Sequence, residues 1–129
     1  MGESIEMPTY SYLTCTRQSQ TIKIEPCDVV IVEGILVLID DTLREMLDIK
    51  VFVDADPDDR LLRVISRDCV ERGRTPMMVI DRYQDVLKPM HNKYIEPTKQ
   101  YANVIIPQGG DNHIAIKLIA DYIKGQIQN

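Results

Sequence analysis

Apolar and polar positions alternate in short blocks along this chain, and the period of each block predicts an element. Tyr10 to Arg17 ("YSYLTCTR") and Thr21 to Glu25 ("TIKIE") are short runs rich in aromatic and β-branched residues, split by the polar "QSQ", and they predict a β-hairpin. The apolar run "DVVIVEGILVL", bounded by Pro26 and Gly34, reads as a strand buried on both faces. A short helix from about Asp41 to Leu47 and a second buried strand, "IKVFVDA", follow. Asp56 then stands at an N-cap, with Pro57 at the first helical position and Asp58 and Asp59 in the first turn, where carboxylates favour the positive end of the dipole. That helix is expected to end near Gly73, and Thr75 to cap another that runs through "PMMVIDRYQDVLK" until Pro89. The strand "NVIIP", a Gly-Gly loop and the helix "HIAIKLIADYIKGQI" complete the order, with Ala115, Leu118, Ile119, Tyr122 and Ile123 on one apolar face. Met77, Met78 and Met90 are expected to fill core gaps.

Strands that alternate with helices predict an α/β fold with a largely parallel sheet. Ligands of such sheets bind beyond the carboxyl ends of the strands, where Glu33-Gly34, Asp54 and the loop from Gln108 to Asn112 collect. Glu33 follows a run of Val and Ile, a costly place for a carboxylate that has neither left the core nor found a partner. It faces either a Mg²⁺ ion in phosphate chemistry or an arginine in a structural pair, and the residues alone leave both open.

Composition narrows the classes. A length of 129 residues fits one domain and 44% hydrophobic content supports a core, while the formal net charge of -5 argues against general nucleic-acid or membrane-surface binding. Three cysteines, Cys15, Cys27 and Cys69, without CxxC spacing, point to a reducing compartment rather than a disulfide framework or zinc site. No apolar run has transmembrane length and "MGESIEMP" has no signal-peptide h-region, so the cytoplasm is the expected location. His91 and His113 are isolated and read as surface or cap residues; "DADPDD" lacks the glycine and the twelfth-position ligand of a calcium loop.

Against this acidic balance stands "RLLRVISRDCVERGR". Arg60, Arg63, Arg67 and Arg74 fall at i, i+3, i+7 and i+14, which puts them on one helical stripe. Guanidinium groups offer paired donors and a permanent charge, the device that phosphoryl transfer uses on developing negative charge. The competing reading is a solvated helix with intrahelical pairs such as Asp59 with Arg63. "ERGR", with two further arginines around a glycine, favours the phosphate reading. Tyr10 and Tyr12 alternate onto one face of the hairpin, for base stacking or for ordinary strand packing.

Taken in order, "MPTYSYLTCTR", "PCDVVIVEGIL", "DIKVFVDADPDDRLLRVISRDCVERGR" and "VLKPMHNKYIEPTKQYANVIIPQGGDN" resemble the uridine/cytidine kinase family over nearly the whole chain. The block with RD-x-x-x-RGR, then KPM and IEPTK-x-YA, is specific. The resemblance implies a P-loop-kinase-like parallel sheet with flanking helices and a β-hairpin. It implies transfer of the γ-phosphate of ATP or GTP to the 5′-hydroxyl of uridine or cytidine, with Mg²⁺, in pyrimidine salvage. By the same resemblance, Tyr10 and its neighbour Tyr12 belong to the nucleoside site, and Glu33 is a catalytic carboxylate at the metal, directly or through water. Ile35 lies by the base pocket, Arg67 and Arg72 are catalytic lid arginines, Arg74 reaches phosphates and substrate, and Asp111 lies near the nucleotide. Cys15 and Arg82 stand at substrate positions where a histidine and a glutamine are usual, and Val64 replaces a lid arginine.

No G-x-x-x-x-G-K-[ST] occurs in these residues, and the family's acidic general base has no counterpart. In the family's sheet the P-loop strand lies between those matching "VVIVEGI" and "IKVFVDA". The expectation is therefore a C-terminal portion of such a kinase, one partial domain over 1–129, with a substrate hairpin at 8–25 and an arginine lid helix at 56–74. Alone it is expected to be inactive. Its expected partners are nucleosides and nucleotides, and a second copy or a P-loop-containing subunit. The alternative is a non-catalytic binding or regulatory remnant that associates with a kinase subunit.

Overall fold

The computed structural model describes residues 2–11 and 14–127, which form two compact units, Met1–Val32 and Glu33–Asn129. The first unit is a hairpin. Strand β1 (Ile5–Ser11) pairs antiparallel with β2 (Thr16–Ile24), Ile5 opposite Ile24 and Tyr10 opposite Arg17. The register shifts between Pro8 and Tyr10, where a proline has no N–H to give to the ladder.

The turn lies at Thr14-Cys15, and the expected break at Gln18-Ser19-Gln20 lies inside β2 instead. Cys15 takes a left-handed conformation (φ 54), the Thr14 N–H donates to Ser11 Oγ at 3.3 Å, and the hydroxyls of Thr14 and Thr16 meet at 2.8 Å. Nearly every residue of β2 is exposed, so polarity could not separate its middle from a turn.

The apolar run at 28–38 forms no strand. Val30 and Ile31 are 72% and 80% exposed, and the residues after Gly34 fold into turns, with Val37 N–H bonded to Gly34 O (3.3 Å) and Ile39 N–H to Leu36 O (3.0 Å). A buried strand needs ladder partners, and among the described residues nothing pairs with this run.

The second unit is α/β. Helix α1 (Asp41–Met46) starts at Asp40, whose carboxylate accepts the Leu43 N–H at 2.7 Å. Strand β3 (Val51–Val53) then pairs in parallel with β4 (Val104–Ile106), Phe52 opposite Ile105. Between them run α2 (Pro57–Glu71) and α3 (Pro76–Arg82), the latter capped by Thr75, whose hydroxyl accepts the Met78 N–H at 3.3 Å. The chain does not stop at Pro89. It continues through wide π turns at Tyr83–Leu87 and His91–Ile95 around α4 (Lys88–Met90), then a 3₁₀ segment, Glu96–Tyr101. A loosened helical register can pass a residue that lacks an N–H, which a regular α-helix cannot do cheaply.

Leu38, Phe52, Val79 and Ile106 form the buried core. Helix α5 (His113–Ile127) turns Ala115, Ile119 and Ile123 partly inward, but Leu118 and Tyr122 are 67% and 55% exposed, so the expected apolar face is narrower than its sequence pattern. Met77, Met78 and Met90 are likewise exposed, not core fillers. Among the described residues no helix is long and apolar enough to cross a membrane.

Candidate functional site

The arginine segment is built on α2 and the turn after it. Asp56 occupies the N-cap position without a side-chain cap bond, while Pro57 begins the helix and Asp58 and Asp59 lie in its first turn. The helix ends at Glu71, three residues short of Arg74, and the expected single stripe of arginines divides into three groups.

Arg60 donates to the ring of His91, 3.0 Å from Nδ1, and His91 Nε2 lies 3.1 Å from Glu96 Oε2, so His91 is a half-buried link rather than an isolated surface residue. Arg63 reaches toward Asp111, with Nη2 3.7 Å from Oδ2, and lies against Gly109. The third group is Arg67, Arg72 and Arg74, which converge on one carboxylate, Asp68.

Asp68 is only 2% exposed. Its Oδ1 accepts from Arg67 Nε at 2.9 Å and lies 2.9 Å from Arg67 Nη2 and 3.2 Å from Arg72 Nη1, while Oδ2 accepts from Arg74 Nη1 at 2.8 Å. The Asp68 carbonyl accepts the Arg72 N–H (3.3 Å) in the closing turn of α2, and Gly73, left-handed at φ 62, turns the chain back so that the same carbonyl also accepts the Arg74 N–H (3.1 Å). Burial alone would raise the Asp68 pKa; the Arg67 hydrogen bond and the charges of Arg67, Arg72 and Arg74 outweigh it and hold the group below the usual carboxylate range.

The side chains of Arg67, Arg72 and Arg74 stay 46%, 39% and 32% exposed. Each guanidinium has five N–H donors, of which Asp68 takes one or two, so outward donors and a net positive charge are left for an anion. Asp68 was not visible as a site residue in the sequence reading, which followed the cations. Its signal was the i, i+4 spacing from Asp68 to Arg72 within "RDCVER".

A second group gathers at the carboxyl ends of β3 and β4. The Asp54 N–H donates to Ile106 O and the Gly109 N–H to Asp54 O, both at 2.8 Å, which ties the Gln108-Gly109 turn to β3. Lys99 Nζ donates to Asp54 Oδ2 at 2.5 Å. That bond holds the Asp54 carboxyl below its ordinary value and raises Lys99 above its own. A cavity of about 140 Å³ beside them is lined by Asp54, Ala55, Asp56, Asp59, Pro107 and Gln108. Lys99 is a further residue the sequence reading passed over, marked only by its place in "IEPTK".

The remaining candidates are dispersed. Tyr10 (51% exposed) and Cys15 (exposed) belong to the hairpin unit, and Tyr12 lies outside the described residues. In the second unit, Glu33 is exposed, Ile35 is 75% exposed, and Arg82 is exposed in the last turn of α3. The ion pairs among the described residues join neither Glu33 nor Arg82 to the arginine cluster. Among these residues no group of three or more His, Cys, Asp or Glu is placed to hold a metal ion.

Comparison with known sequences places these features in context. The sequence model of the "Phosphoribulokinase / Uridine kinase family" matches residues 1–115. A protein named uridine kinase from Macrococcus caseolyticus is 52% identical over 127 residues, 98% of this chain and 62% of that protein. Uridine kinases from Geobacillus kaustophilus and Staphylococcus carnosus are 55% identical over 122 residues and 49% over 128, covering 95% and 99% of this chain and 58% and 62% of theirs. The chain thus spans about three fifths of the length of the curated relatives it matches.

Proposed function

The chain belongs to the phosphoribulokinase and uridine kinase family, and from that premise we propose that it serves transfer of a γ-phosphate from ATP or GTP to the 5′-hydroxyl of uridine or cytidine, in cytoplasmic pyrimidine salvage. The observation that supports this reading is the convergence of Arg67, Arg72 and Arg74 on Asp68 with their outer edges exposed. In a reaction whose catalysis is mostly positioning and charge stabilisation, such a group suits the phosphates in flight.

In this reading Arg67 and Arg72 meet the transferred phosphoryl group and Arg74 reaches phosphates and substrate. By the family resemblance, Tyr10, Tyr12, Cys15, Ile35 and Arg82 are each assigned to nucleoside binding, and Asp111 to the nucleotide. Mg²⁺ commonly keeps several waters and takes one or two protein carboxylates beside substrate phosphates, so the single exposed Glu33 fits as its ligand, directly or through water. When bound, the ion would neutralise phosphate charge.

Residues 1–129 contain no phosphate-cradling G-x-x-x-x-G-K-[ST], so this reading assigns them no turnover by themselves. It also assigns the exposed Val30 and Ile31 to pairing with a P-loop strand supplied by another segment or polypeptide. The same exposure favours a second reading, a non-catalytic chain that acts by binding a kinase subunit.

A radiolabelled assay with ATP, Mg²⁺ and uridine or cytidine separates the readings, run with the chain alone and beside an inactive P-loop fragment of a related kinase. UMP or CMP only in the mixture is the expected result. No product in the mixture would sink the catalytic reading and leave the binding one; product from the chain alone would overturn the assignment of no turnover.

A further inference from the structure

We propose that Asp68 is the positioning residue of the arginine lid, its buried carboxylate holding Arg67, Arg72 and Arg74 as one preformed surface for the polyphosphate of a nucleotide. The identity of the anion rests on the kinase reading above; the arrangement of the arginines does not. Asp68, at 2% exposure, is sealed from any ligand and acts only through its neighbours. Three guanidinium groups within eight residues repel one another, and each is long enough to adopt many rotamers. Asp68 counters both effects. Oδ1 takes Arg67 and Arg72, Oδ2 takes Arg74, and the Asp68 carbonyl takes the N–H groups of Arg72 and Arg74. One residue therefore fixes both the heads and the backbone of the turn that carries them. Ordering the side chains before the ligand arrives removes that cost from binding.

A simple counter-ion role predicts the opposite sign for the same substitution, which makes the proposal testable. If Asp68 only cancels charge, Asp68→Asn adds one positive charge to the cluster and tightens anion binding. If Asp68 positions the arginines, the substitution weakens binding despite the added charge.

The test is calorimetric titration of the full chain with inorganic tripolyphosphate, for the wild type, Asp68→Asn, and Asp81→Asn as a control with the same charge change at an exposed site on α3. We expect Asp68→Asn to weaken binding about tenfold, the scale of one charge-assisted hydrogen bond, and Asp81→Asn to leave it within about twofold. A measurement on the wild type guards against an Asp68→Asn chain that fails to fold: the Arg67 Nε–H, bonded to Asp68, is followed by ¹⁵N NMR and should stay protected from exchange at saturating tripolyphosphate.

Tighter or unchanged binding by Asp68→Asn, loss of Arg67 Nε–H protection on binding, or no tripolyphosphate binding by the wild type would each overturn the proposal. None of these readouts involves nucleoside phosphorylation. A negative complemented kinase assay beside a weakened Asp68→Asn would thus remove the kinase reading and keep this one.

Discussion

Two glycines in the second unit have nearly the same backbone conformation and different surroundings, so substituting both separates backbone strain from contact. Gly73 has φ +62 and Gly109 φ +66. A Cβ at Gly73 would meet nothing within 4 Å, whereas at Gly109 it would lie 2.7 Å from Arg63 Nη1, 3.1 Å from Nη2 and 3.4 Å from Cζ. The left-handed conformation costs an alanine about 1–2 kcal/mol, so Gly73→Ala should cost that much and little else. Gly109→Ala should cost the same, plus the displacement of Arg63 from Asp111. Arg63 is half exposed and its ion pair is a surface one, so displacement adds at most about 1 kcal/mol. In an Arg63→Ala background the added cost should vanish, and Gly109→Ala should fall back to the Gly73→Ala value. Urea unfolding followed by circular dichroism, with the slope checked for constancy, measures all four variants. A Gly109→Ala cost below about 0.5 kcal/mol would refute the strain argument; equal costs in the two backgrounds would refute the assignment of the remainder to Arg63.

Two further expectations concern the core and the β3 end. Val79 is fully buried, so Val79→Ala removes two carbons' worth of buried surface and leaves a void, for about 2 kcal/mol, read as a lower urea midpoint; a change under about 0.5 kcal/mol would show that α3 repacks freely. The Asp54–Lys99 pair should give stability a pH dependence at both extremes. The Asp54 pKa is lowered in the fold from 3.8, so its contribution is present above about pH 4 and is lost as pH falls through the folded value. Lys99 is raised from 10.5, so its contribution is present below that value and is lost as pH rises past it. Lys99→Met should therefore lower the melting temperature at neutral pH, with the gap to wild type narrowing as pH falls; a gap that stays the same from neutral pH into acid would contradict the linkage.

Elements whose signals are local were legible in the sequence. Pro57 opens α2, the left-handed Gly73 follows its end, Thr75 caps α3, and the closing helix spans His113–Ile127 as read. What was not legible depends on partners or on context beyond a few residues. Hydrophobicity marks the run at 28–38 as strand-like but cannot supply a ladder neighbour, and Pro89 stops a regular helix but not one already wound into π turns. At the site, residue type alone singled out Arg67, Arg72 and Arg74. Their grouping depended on α2 ending at Glu71, which turns Arg74 off the helical face and toward Asp68. Arg60 and Arg63 share the face in sequence but leave for His91 and Asp111, partners more than thirty positions away.

Among the described residues, the bonds that Asp68 receives from side chains come from Arg67, Arg72 and Arg74, so the cluster lies within a single short stretch of chain. Bringing such near neighbours together costs little loop entropy, and the cluster can assemble as the helix end forms rather than after the sheet is paired. In design terms the stretch from Arg67 to Arg74 is a portable cassette. A graft onto the end of an unrelated helix would have to carry Asp68 and Gly73 along with the arginines, because the cations without their hub and their turn would be only a patch of charge.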